Sequence, residues 1–271
     1  MRLWVLGSGS KGNAVLIECG ETRVLVDVGF APRELARRLA AIGVAPSSIK
    51  ACVVTHEHSD HVRGAQAATQ RWGWALHASA GTADACPALL EADARTFEPG
   101  DTFGVGGIEL RTVPTPHDAA APVALVATST HSGARAGICY DLGHATDPVR
   151  VAMRELDLLV LESNHDEGML RTGPYPPSVQ RRIASRSGHL SNRAAAKLAR
   201  ECAHFNLRHV VLAHLSENCN DRQVAHETVT EGLAGTKFRG RVHVSSQHAV
   251  CGPFTPSLRR CAPAPEQLAL F

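Results

Sequence analysis

The sequence predicts an α/β chain in which two mixed β-sheets pack together and helices cover their outer faces, an αββα sandwich. Short apolar runs of strand length recur along the 271 residues, and segments with helical spacing separate them. Residues 1 to about 130 are rich in predicted strands, whereas the later part alternates strands with helices. These two observations predict two sheets packed together with helices outside them.

Most of the predicted strands lie in the first 141 residues. Their apolar runs are bounded by Gly, Pro or polar residues, which is typical of strands. We assign strands to residues 3–6, 14–18, 24–28, 51–55, 75–78, 108–113, 123–128 and 136–141. Helical spacing predicts helices over residues 32–42, where Leu35 and Leu39 share one face, and over residues 61–72.

The second half alternates strands with helices. Strands are predicted at residues 157–161 and 209–213, and helices at residues 177–187, 193–205 and 221–233. Ser191 or Asn192 is the expected N-cap of the middle helix. After about Pro256 the chain becomes Pro-rich and irregular. We therefore predict one folded domain over residues 1–256 and a tail over residues 257–271.

Composition excludes several classes of protein. With 44% apolar and 20% charged residues, the chain matches a globular protein rather than a disordered or fibrous one. No window approaches the ~18 consecutive apolar residues of a membrane span, and the apolar start is too short for a signal peptide. Eight cysteines without a C-x-x-C pair are typical of reduced thiols. We expect a cytoplasmic protein with no membrane contact.

Positive charge is concentrated in one segment, although the whole chain is nearly balanced at 28 basic and 26 acidic residues. Residues 171–200 contain seven Arg or Lys residues and no Asp or Glu. Such a segment is typical of a phosphate-binding surface. It is equally typical of a solvated helix face in a chain whose cations are mostly arginine. Charge alone leaves both interpretations open.

A glycine motif near the start imitates a dinucleotide-binding fingerprint. Gly7, Gly9 and Gly12 follow a predicted strand, and Asp27 lies 20 residues after Gly7. In the cofactor fingerprint the glycines open a helix whose N-terminus holds the pyrophosphate. Because residues 13–17 have a strand pattern instead, we interpret the glycines as a hairpin loop and predict no nucleotide cofactor.

The segment HEHSDH at residues 56–61 follows an apolar strand and concentrates metal-binding side chains. On an extended strand end, residues two apart point the same way, so His56 and His58 can face one ion while Glu57 points elsewhere. If a helix begins near Ser59, the next two ligands lie on its first turn and can hold a second ion. Imidazole and carboxylate groups suit zinc, manganese or iron.

This segment resembles the signature of the metallo-β-lactamase superfamily, and the resemblance covers nearly the whole chain. Asp27 in LVDVG, His117 in PTPH, Asp141 in CYDLG and His214 in LAHLS resemble its other motifs. The resemblance implies the αββα fold and two divalent metal ions. The implied ligands are His56, His58 and His117 for one ion, Asp60, His61 and His214 for the other, and Asp141 between both.

Further motifs narrow the resemblance to the YycJ/WalJ-type hydrolases. They are GSGSKGN at residues 7–13, ESNHD at 162–166, GHLSN at 188–192 and HLSEN at 214–218. That group is associated with exonuclease action on DNA. The resemblance therefore implies a 5′-to-3′ exodeoxyribonuclease of DNA repair or replication. Two zinc or manganese ions would share a bridging hydroxide as nucleophile and bind a phosphate oxygen.

Hydrolysis of a phosphodiester also needs groups that neutralise charge and protonate the leaving oxygen. We predict Asp60, His165 and His189 as catalytic residues, with a hydrogen-bonded structural role as the alternative for either histidine. Asp27 and Glu162 are expected to orient metal ligands rather than to bind metal. The expected DNA contacts in the basic segment are Arg171, Arg181, Arg182 and Arg186.

The same seven ligands would serve other hydrolases, because fold and metal site do not fix the substrate. A small-molecule phosphodiesterase or a glyoxalase II-like thioester hydrolase is therefore the alternative. The basic segment favours a polyanion, since a neutral thioester needs no such surface. A non-catalytic adaptor would predict a damaged ligand set, whereas this set is complete.

The last five residues, QLALF at 267–271, resemble the peptide by which bacterial replication and repair proteins bind the sliding clamp. Gln267 would make polar contacts, and Leu268, Leu270 and Phe271 would fill apolar pockets. The Pro-rich segment before the peptide would hold it away from the domain. An apolar tail that folds back onto the core is the alternative. DNA and a sliding clamp are thus the expected partners.

Overall fold

The computed structural model describes residues 1–256, which form two seven-stranded β-sheets and the helices around them. The strands are β1 (Arg2–Gly7), β2 (Ala14–Cys19), β3 (Thr22–Val26), β4 (Ala51–Val53), β5 (Ala75–Ser79), β6 (Arg95–Phe97), β7 (Thr102–Val105), β8 (Ile108–Pro114), β9 (Val123–Ser129), β10 (Arg135–Cys139), β11 (Leu158–Glu162), β12 (His209–Ala213), β13 (Arg241–Val244) and β14 (Cys251–Phe254). The helices are α1 (Pro32–Ala40), α2 (Ser59–Val62), α3 (Ala65–Trp72), α4 (Ala80–Ala85), α5 (Pro87–Glu91), α6 (Asp147–Ala152), α7 (Glu167–Thr172), α8 (Pro177–Ile183), α9 (Asn192–Glu201) and α10 (Arg222–Leu233), with a short 3-10 helix at Pro46–Ser48.

Each sheet combines an antiparallel part with a parallel part. The first sheet has the order β14-β1-β2-β3-β4-β5-β6, antiparallel from β14 to β3 and parallel from β3 to β6. The second has the order β13-β12-β11-β10-β9-β8-β7, antiparallel from β7 to β10 and parallel from β10 to β13. The prediction of two mixed sheets is confirmed.

The two sheets pack against each other, and the helices cover their outer faces. Alternate residues of a strand point to opposite faces, so one strand serves two cores. In β2, Ile17 joins the cluster between the sheets, while Leu16 packs in the outer cluster with Leu35 of α1. In β11, Val160 lies between the sheets, while Leu159 packs in the outer cluster that includes α9 and α10.

Four strands were not predicted from the sequence, and all four are sheet edges. They are β6 and β14 in the first sheet and β7 and β13 in the second. An edge strand has a neighbour on one side only, and most residues in these four strands are exposed or half-buried. They therefore lack the continuous apolar run by which the central strands were predicted.

The helix predicted over residues 61–72 is two helices, α2 and α3. The chain between them packs tightly on the segment after β3: the amide of Gly64 donates to the carbonyl of Val28 at 2.8 Å, and a Cβ at Gly64 would lie 2.0 Å from the carbonyl oxygen of Phe30. This close backbone contact interrupts the helical spacing. The predicted hairpin is confirmed, because β1 and β2 pair antiparallel across the glycine loop.

Helix ends differ from the predictions by a few residues. The strand predicted to reach residue 141 ends at Cys139, and the helices predicted to reach residues 187 and 205 end at Ile183 and Glu201. Ser191 is the N-cap of α9, since its hydroxyl accepts from the amide of Ala194 at 3.2 Å. That choice between Ser191 and Asn192 is thereby decided.

Two further findings concern the cysteines and the helices of residues 1–256. Among residues 1–256 the cysteines are free thiols. No helix in this part of the chain combines the length and the apolar character that a bilayer crossing requires. The tail predicted at residues 257–271, including the QLALF peptide, lies outside the described residues.

Candidate metal centre

The HEHSDH segment lies where β4 of the first sheet ends. Helix α2 begins at Ser59, two residues before the helix predicted over residues 61–72, and so meets the condition set for a second ligand pair; His58 before it has an extended backbone with φ −61° and ψ 144°. His56 and His58 both join the cluster described below, with ring centroids 4.7 Å apart. Glu57 turns away, because its Oε1 accepts from the backbone amide of Ala120 at 2.7 Å. The predicted alternation is confirmed.

The second sheet contributes single residues from several loops. His117 follows β8, Asp141 follows β10 and His214 follows β12, while His189 lies between α8 and α9. Asp27, Asp141 and His214 adopt left-handed backbone conformations, with φ of 62°, 52° and 54°. Residues other than glycine rarely do so, and such strain clusters at functional sites where the surrounding structure fixes it.

These side chains form four overlapping groups, within each of which the possible ligand atoms lie within 4.8 Å of one another. The groups are His56, His58 and His117; His56, His61 and Asp141; Asp60, His61 and His214; and Asp141, Glu162, His189 and His214. Together they contain all seven predicted metal ligands. We call these nine residues the metal cluster.

Asp141 lies at the centre of the metal cluster. Its Oδ2 is 2.6 Å from Nε2 of His61 and 3.7 Å from Nε2 of His56. Its Oδ1 is 2.8 Å from Nδ1 of His214 and 3.1 Å from Nδ1 of His189. The carboxylate therefore lies between the ligand groups of both sheets.

The metal cluster fits divalent cations. His56 Nε2 and both oxygens of Asp141 are buried and make no hydrogen bond within residues 1–256, although histidine nitrogens lie close to both oxygens. Buried polar atoms without hydrogen bonds are rare in proteins. Nitrogen and oxygen atoms that converge without satisfying one another have the chemistry of a zinc or manganese site.

Burial and neighbouring charge set the protonation of the cluster. Burial and the adjacent His61 hold the pKa of His56 well below its ordinary value, so this imidazole is neutral, the form that binds a metal. Burial opposes ionisation of Asp141, yet His214 and His61 hold its pKa well below the ordinary value. Asp141 is therefore a carboxylate acceptor.

Asp27, fully buried directly after β3, fixes one ligand. Its Oδ1 accepts from the amide of Thr55 at 2.7 Å, and its Oδ2 accepts from the hydroxyl groups of Thr55 and Tyr140. The same Oδ2 is 2.8 Å from Nδ1 of His61. These contacts hold the His61 ring with Nε2 toward Asp141.

Glu162, at the end of β11, fixes two histidines and two loops. Its Oε2 accepts from the amides of Leu142 and Leu190 at 2.7 and 3.0 Å. Its Oε1 is 2.7 Å from Nδ1 of His189 and 3.1 Å from Nδ1 of His214. Burial opposes the charge of Glu162, but these histidines lower its pKa to about 2. Burial likewise opposes the charge of His189, whose pKa Glu162 and Asp141 raise to about 9.

Two residues of the glycine loop also support the cluster, and the sequence analysis assigned them no role. The hydroxyl of Ser8 accepts from the amide of His214 at 2.9 Å and donates to Asn13 Oδ1 at 2.7 Å. Nδ2 of Asn13 is 3.1 Å from Nε2 of His61 and 3.2 Å from Oδ2 of Asp60. The signal was the GSGSKGN motif itself, which contains both residues.

The predicted DNA-binding arginines are exposed and line three cavities. Arg182 lines the cavity over the metal cluster, about 270 Å³, and its Nε donates to Asp118 at 2.6 Å. Arg186 and Lys197 line a second cavity of about 590 Å³, together with Gly143. Arg171 and Arg181 line a third cavity, of about 410 Å³, with His165. His165 belongs to none of the four ligand groups.

Comparison with known proteins identifies relatives along most of the chain. Residues 7–159 match the model of the metallo-beta-lactamase superfamily. Exodeoxyribonuclease YycJ of Bacillus anthracis is 31% identical over 86% of this chain and 89% of its own length. Exodeoxyribonuclease WalJ of Streptococcus pneumoniae is 30% identical over 85% of this chain and 87% of its own length.

Solved structures share the fold at lower identity. The metallo-beta-lactamase fold protein YhfI of Bacillus subtilis is 18% identical, with a TM-score of 0.69 over 93% of this chain and 99% of that one. The short form of human tRNase Z is 16% identical, with a TM-score of 0.64 over 94% of this chain and 100% of that one. The chain therefore belongs to the metallo-β-lactamase superfamily and, within it, to the group that contains the YycJ and WalJ proteins.

Proposed function

We propose that this chain is a metal-dependent exodeoxyribonuclease that removes nucleotides from the 5′ end of DNA in repair or replication. The observation that carries the proposal is the placement of the exposed arginines in and beside the cavity of the metal cluster. A DNA strand presents one phosphate per nucleotide, so cations in neighbouring cavities can each meet a different phosphate. A small ester would meet Arg182 alone.

In this proposal His56, His58 and His117 would hold one ion, Asp60, His61 and His214 would hold the other, and Asp141 would be shared between them. Two zinc or manganese ions would supply a hydroxide at neutral pH and positive charge for the phosphoryl oxygens. The protein's own groups position the reaction. Asp27 and Glu162 orient the histidines, as their contacts above indicate.

Two further residues act on the substrate in this proposal. Arg182 lines the cavity over the cluster, where its guanidinium neutralises a phosphoryl oxygen. His189 lines the same cavity, and its Nδ1 is 2.7 Å from Oε1 of Glu162. Nε2 of His189 is therefore the nitrogen that remains for the leaving oxygen.

A substrate panel tests the proposal. Metal-loaded protein is incubated with end-labelled single-stranded DNA, duplex DNA, RNA and a chromogenic phosphodiester. Asp60→Ala should be inactive, and Asp84→Ala, an exposed acid on α4, is its matched control. Phosphorothioate linkages at the 5′ end should block release of nucleotides, and the same linkages at the 3′ end should not. Exclusive hydrolysis of RNA or of the small phosphodiester would contradict the proposal.

We also propose that the QLALF peptide binds a bacterial sliding clamp, which would hold the nuclease at a raised local concentration of DNA. The support is the match at Gln267, Leu268, Leu270 and Phe271. Purified clamp is titrated with the full chain and with a chain that lacks residues 266–271. Equal affinity of the two chains, or no binding by either, would contradict this part. With a clamp and DNA as partners, the protein would act in the cytoplasm.

A further inference from the structure

The third arginine-lined cavity adjoins the metal cluster without being part of it. His165, which lines this cavity, lies three residues after Glu162 on the same chain segment. Its backbone forms a bridge with Ser191, two residues after His189. Glu162 and His189 are in contact within the metal cluster. The cavity therefore adjoins Glu162 and His189 of the metal cluster through the chain segments that carry them.

The walls of this cavity, about 410 Å³, are largely apolar. Leu170, Pro177 and Ala184 line it, and its size is within the ~300–1,000 Å³ range of small-ligand sites. His165 adds a polar group to these walls. Its side chain is buried, at 3% exposed, and its Nδ1 has no hydrogen-bond partner within residues 1–256. A buried nitrogen that lacks a partner is costly unless a ligand or water supplies one.

The charges around this cavity separate two kinds of occupant. Arg171 and Arg181 line it with exposed side chains, and neither makes an ion pair in the part of the chain that the structure describes. Glu167 also lines it, with a carboxylate that accepts from the hydroxyl of Ser191 at 3.0 Å. That carboxylate would repel a phosphate inside the cavity. The arginines suit phosphates on either side of an uncharged group.

We propose that this cavity binds one nucleobase of the DNA strand that is being cleaved, with His165 bonded to the edge of the base. A base has flat apolar faces for Leu170 and Pro177 and polar atoms for His165. Its flanking phosphates would meet Arg171 and Arg181. This inference rests on the proposed DNA substrate, and it makes His165 a positioning residue that sets which phosphodiester lies over the metal cluster.

The test is a scan of base removal. Single strands that each carry one abasic residue, at successive positions from the 5′ end, are titrated with the metal-loaded protein, and phosphorothioate linkages at the 5′ end keep them from being cleaved. The same strands without these linkages serve for the kinetics. With the natural sequence we expect one position at which base removal weakens binding by roughly tenfold, the scale of one lost hydrogen bond together with some lost apolar contact. KM in the metal-loaded reaction should rise for the same strand, with little change in kcat.

Two variants locate that effect. His165→Gln removes the buried imidazole, and Ala184→Leu narrows the cavity from an exposed position, which serves if the first variant does not fold. Both variants should bind the intact strand more weakly than the natural sequence does. Removal of the base at the sensitive position should weaken their binding no further. His226→Gln on α10, a half-buried histidine outside the cavity, is the control and should behave like the natural sequence.

Three results would overturn the inference. The first is a scan in which no position stands out, and the second is a sensitive position that stays equally sensitive in both variants. A third result is that removal of a terminal phosphate, rather than of a base, has the effect that the variants abolish, which would make the cavity a phosphate site. Failure of the proposed function is separate, since the natural sequence would then neither bind nor hydrolyse any DNA strand.

Discussion

Two buried carboxylates support the metal cluster, one from each sheet, and they do so in different ways. Asp27 holds a single ligand histidine, His61, and its other contacts are the hydroxyl and amide of Thr55 and the hydroxyl of Tyr140. Glu162 contacts two histidines and two loop amides. Asp27 thus stabilises one ligand of the 56–61 segment, which already places four ligands close together. Glu162 instead holds together residues that come from separate loops of the second sheet.

The largest expected effect comes from Asp141, where the two sets of ligands meet. Asp141→Ala removes the carboxylate that lies 2.6 Å from His61 and 2.8 Å from His214. We expect the bound metal to fall below two ions per chain and hydrolysis of DNA to fall by more than ~10³-fold, since metal ions contribute several kcal/mol to such reactions.

Metal analysis of the purified protein and single-turnover rates check this prediction. Asp84→Ala again serves as the matched control. Unchanged stoichiometry and activity in Asp141→Ala, or saturation of the natural sequence at one ion, would remove the two-ion interpretation.

A direct test of the comparison replaces each supporting carboxylate by its amide. Glu162→Gln keeps one accepting oxygen and replaces the other by an NH₂ group, so it can no longer accept from the two loop amides and from His189 and His214 at the same time. Either the loops or the two histidines then lose their orientation. Supporting residues of this kind change metal affinity by about 10–100-fold. We expect Glu162→Gln at the upper end and Asp27→Asn at the lower end.

Titration of the metal-free variants with zinc or manganese measures the two affinities. Thermal unfolding of the metal-free proteins, measured beside it, separates a lost fold from a lost site. An Asp27→Asn variant that loses as much affinity as Glu162→Gln, or more, would show that the two carboxylates are equivalent supports.

The same contrast explains how much of the site could be predicted. Four ligands of the first sheet lie within residues 56–61, so strand alternation and one helical turn place them without knowledge of the rest of the fold. Asp141, His189 and His214 are far apart in the sequence. Their convergence depends on the order β10-β11-β12, which residue patterns do not specify, and only the family resemblance selected these residues.

Contacts between loops that are far apart in the chain could not be predicted from residue patterns. Ser8 supports His214 because the glycine loop after β1 lies against the loop after β12, a long-range contact. The basic segment 171–200 was treated as one candidate surface, whereas four of its arginines line three separate cavities. The adjacent Arg181 and Arg182 of α8 line two different ones. Spacing within one short helix could not assign each arginine to its cavity.

That division sharpens the prediction for DNA binding. Arg181→Ala and Arg186→Ala should each weaken DNA binding and lower the salt dependence by about one counterion, because each is a phosphate contact. Neither lines the cavity of the metal cluster, so hydrolysis of the chromogenic phosphodiester should remain nearly intact. Arg182→Ala should reduce both activities.

Binding isotherms at several salt concentrations measure the effect, with Arg33→Ala, an exposed arginine on α1, as the control. If Arg181→Ala and Arg186→Ala reduce hydrolysis of the small phosphodiester as much as they reduce DNA binding, the segment is structural rather than a DNA surface.

The smallest effect concerns a carboxylate far from the metal cluster. The pKa of Glu34 on α1 is lowered to about 2, first by its hydrogen bond with Arg37 and also by Arg38. A carboxyl whose pKa is lower in the folded state stabilises the fold above its unfolded value of 4.5, and this contribution is lost as pH falls toward 2. The side chain is 36% exposed, so solvent screening limits the contribution to under ~1 kcal/mol.

Glu34→Gln should therefore lower stability slightly at neutral pH, converge with the natural sequence near pH 2, and leave metal affinity unchanged. Denaturant unfolding at several pH values checks this, and a metal affinity that falls as in Glu162→Gln would mean that lost charge, rather than lost contact with the histidines, governs metal binding.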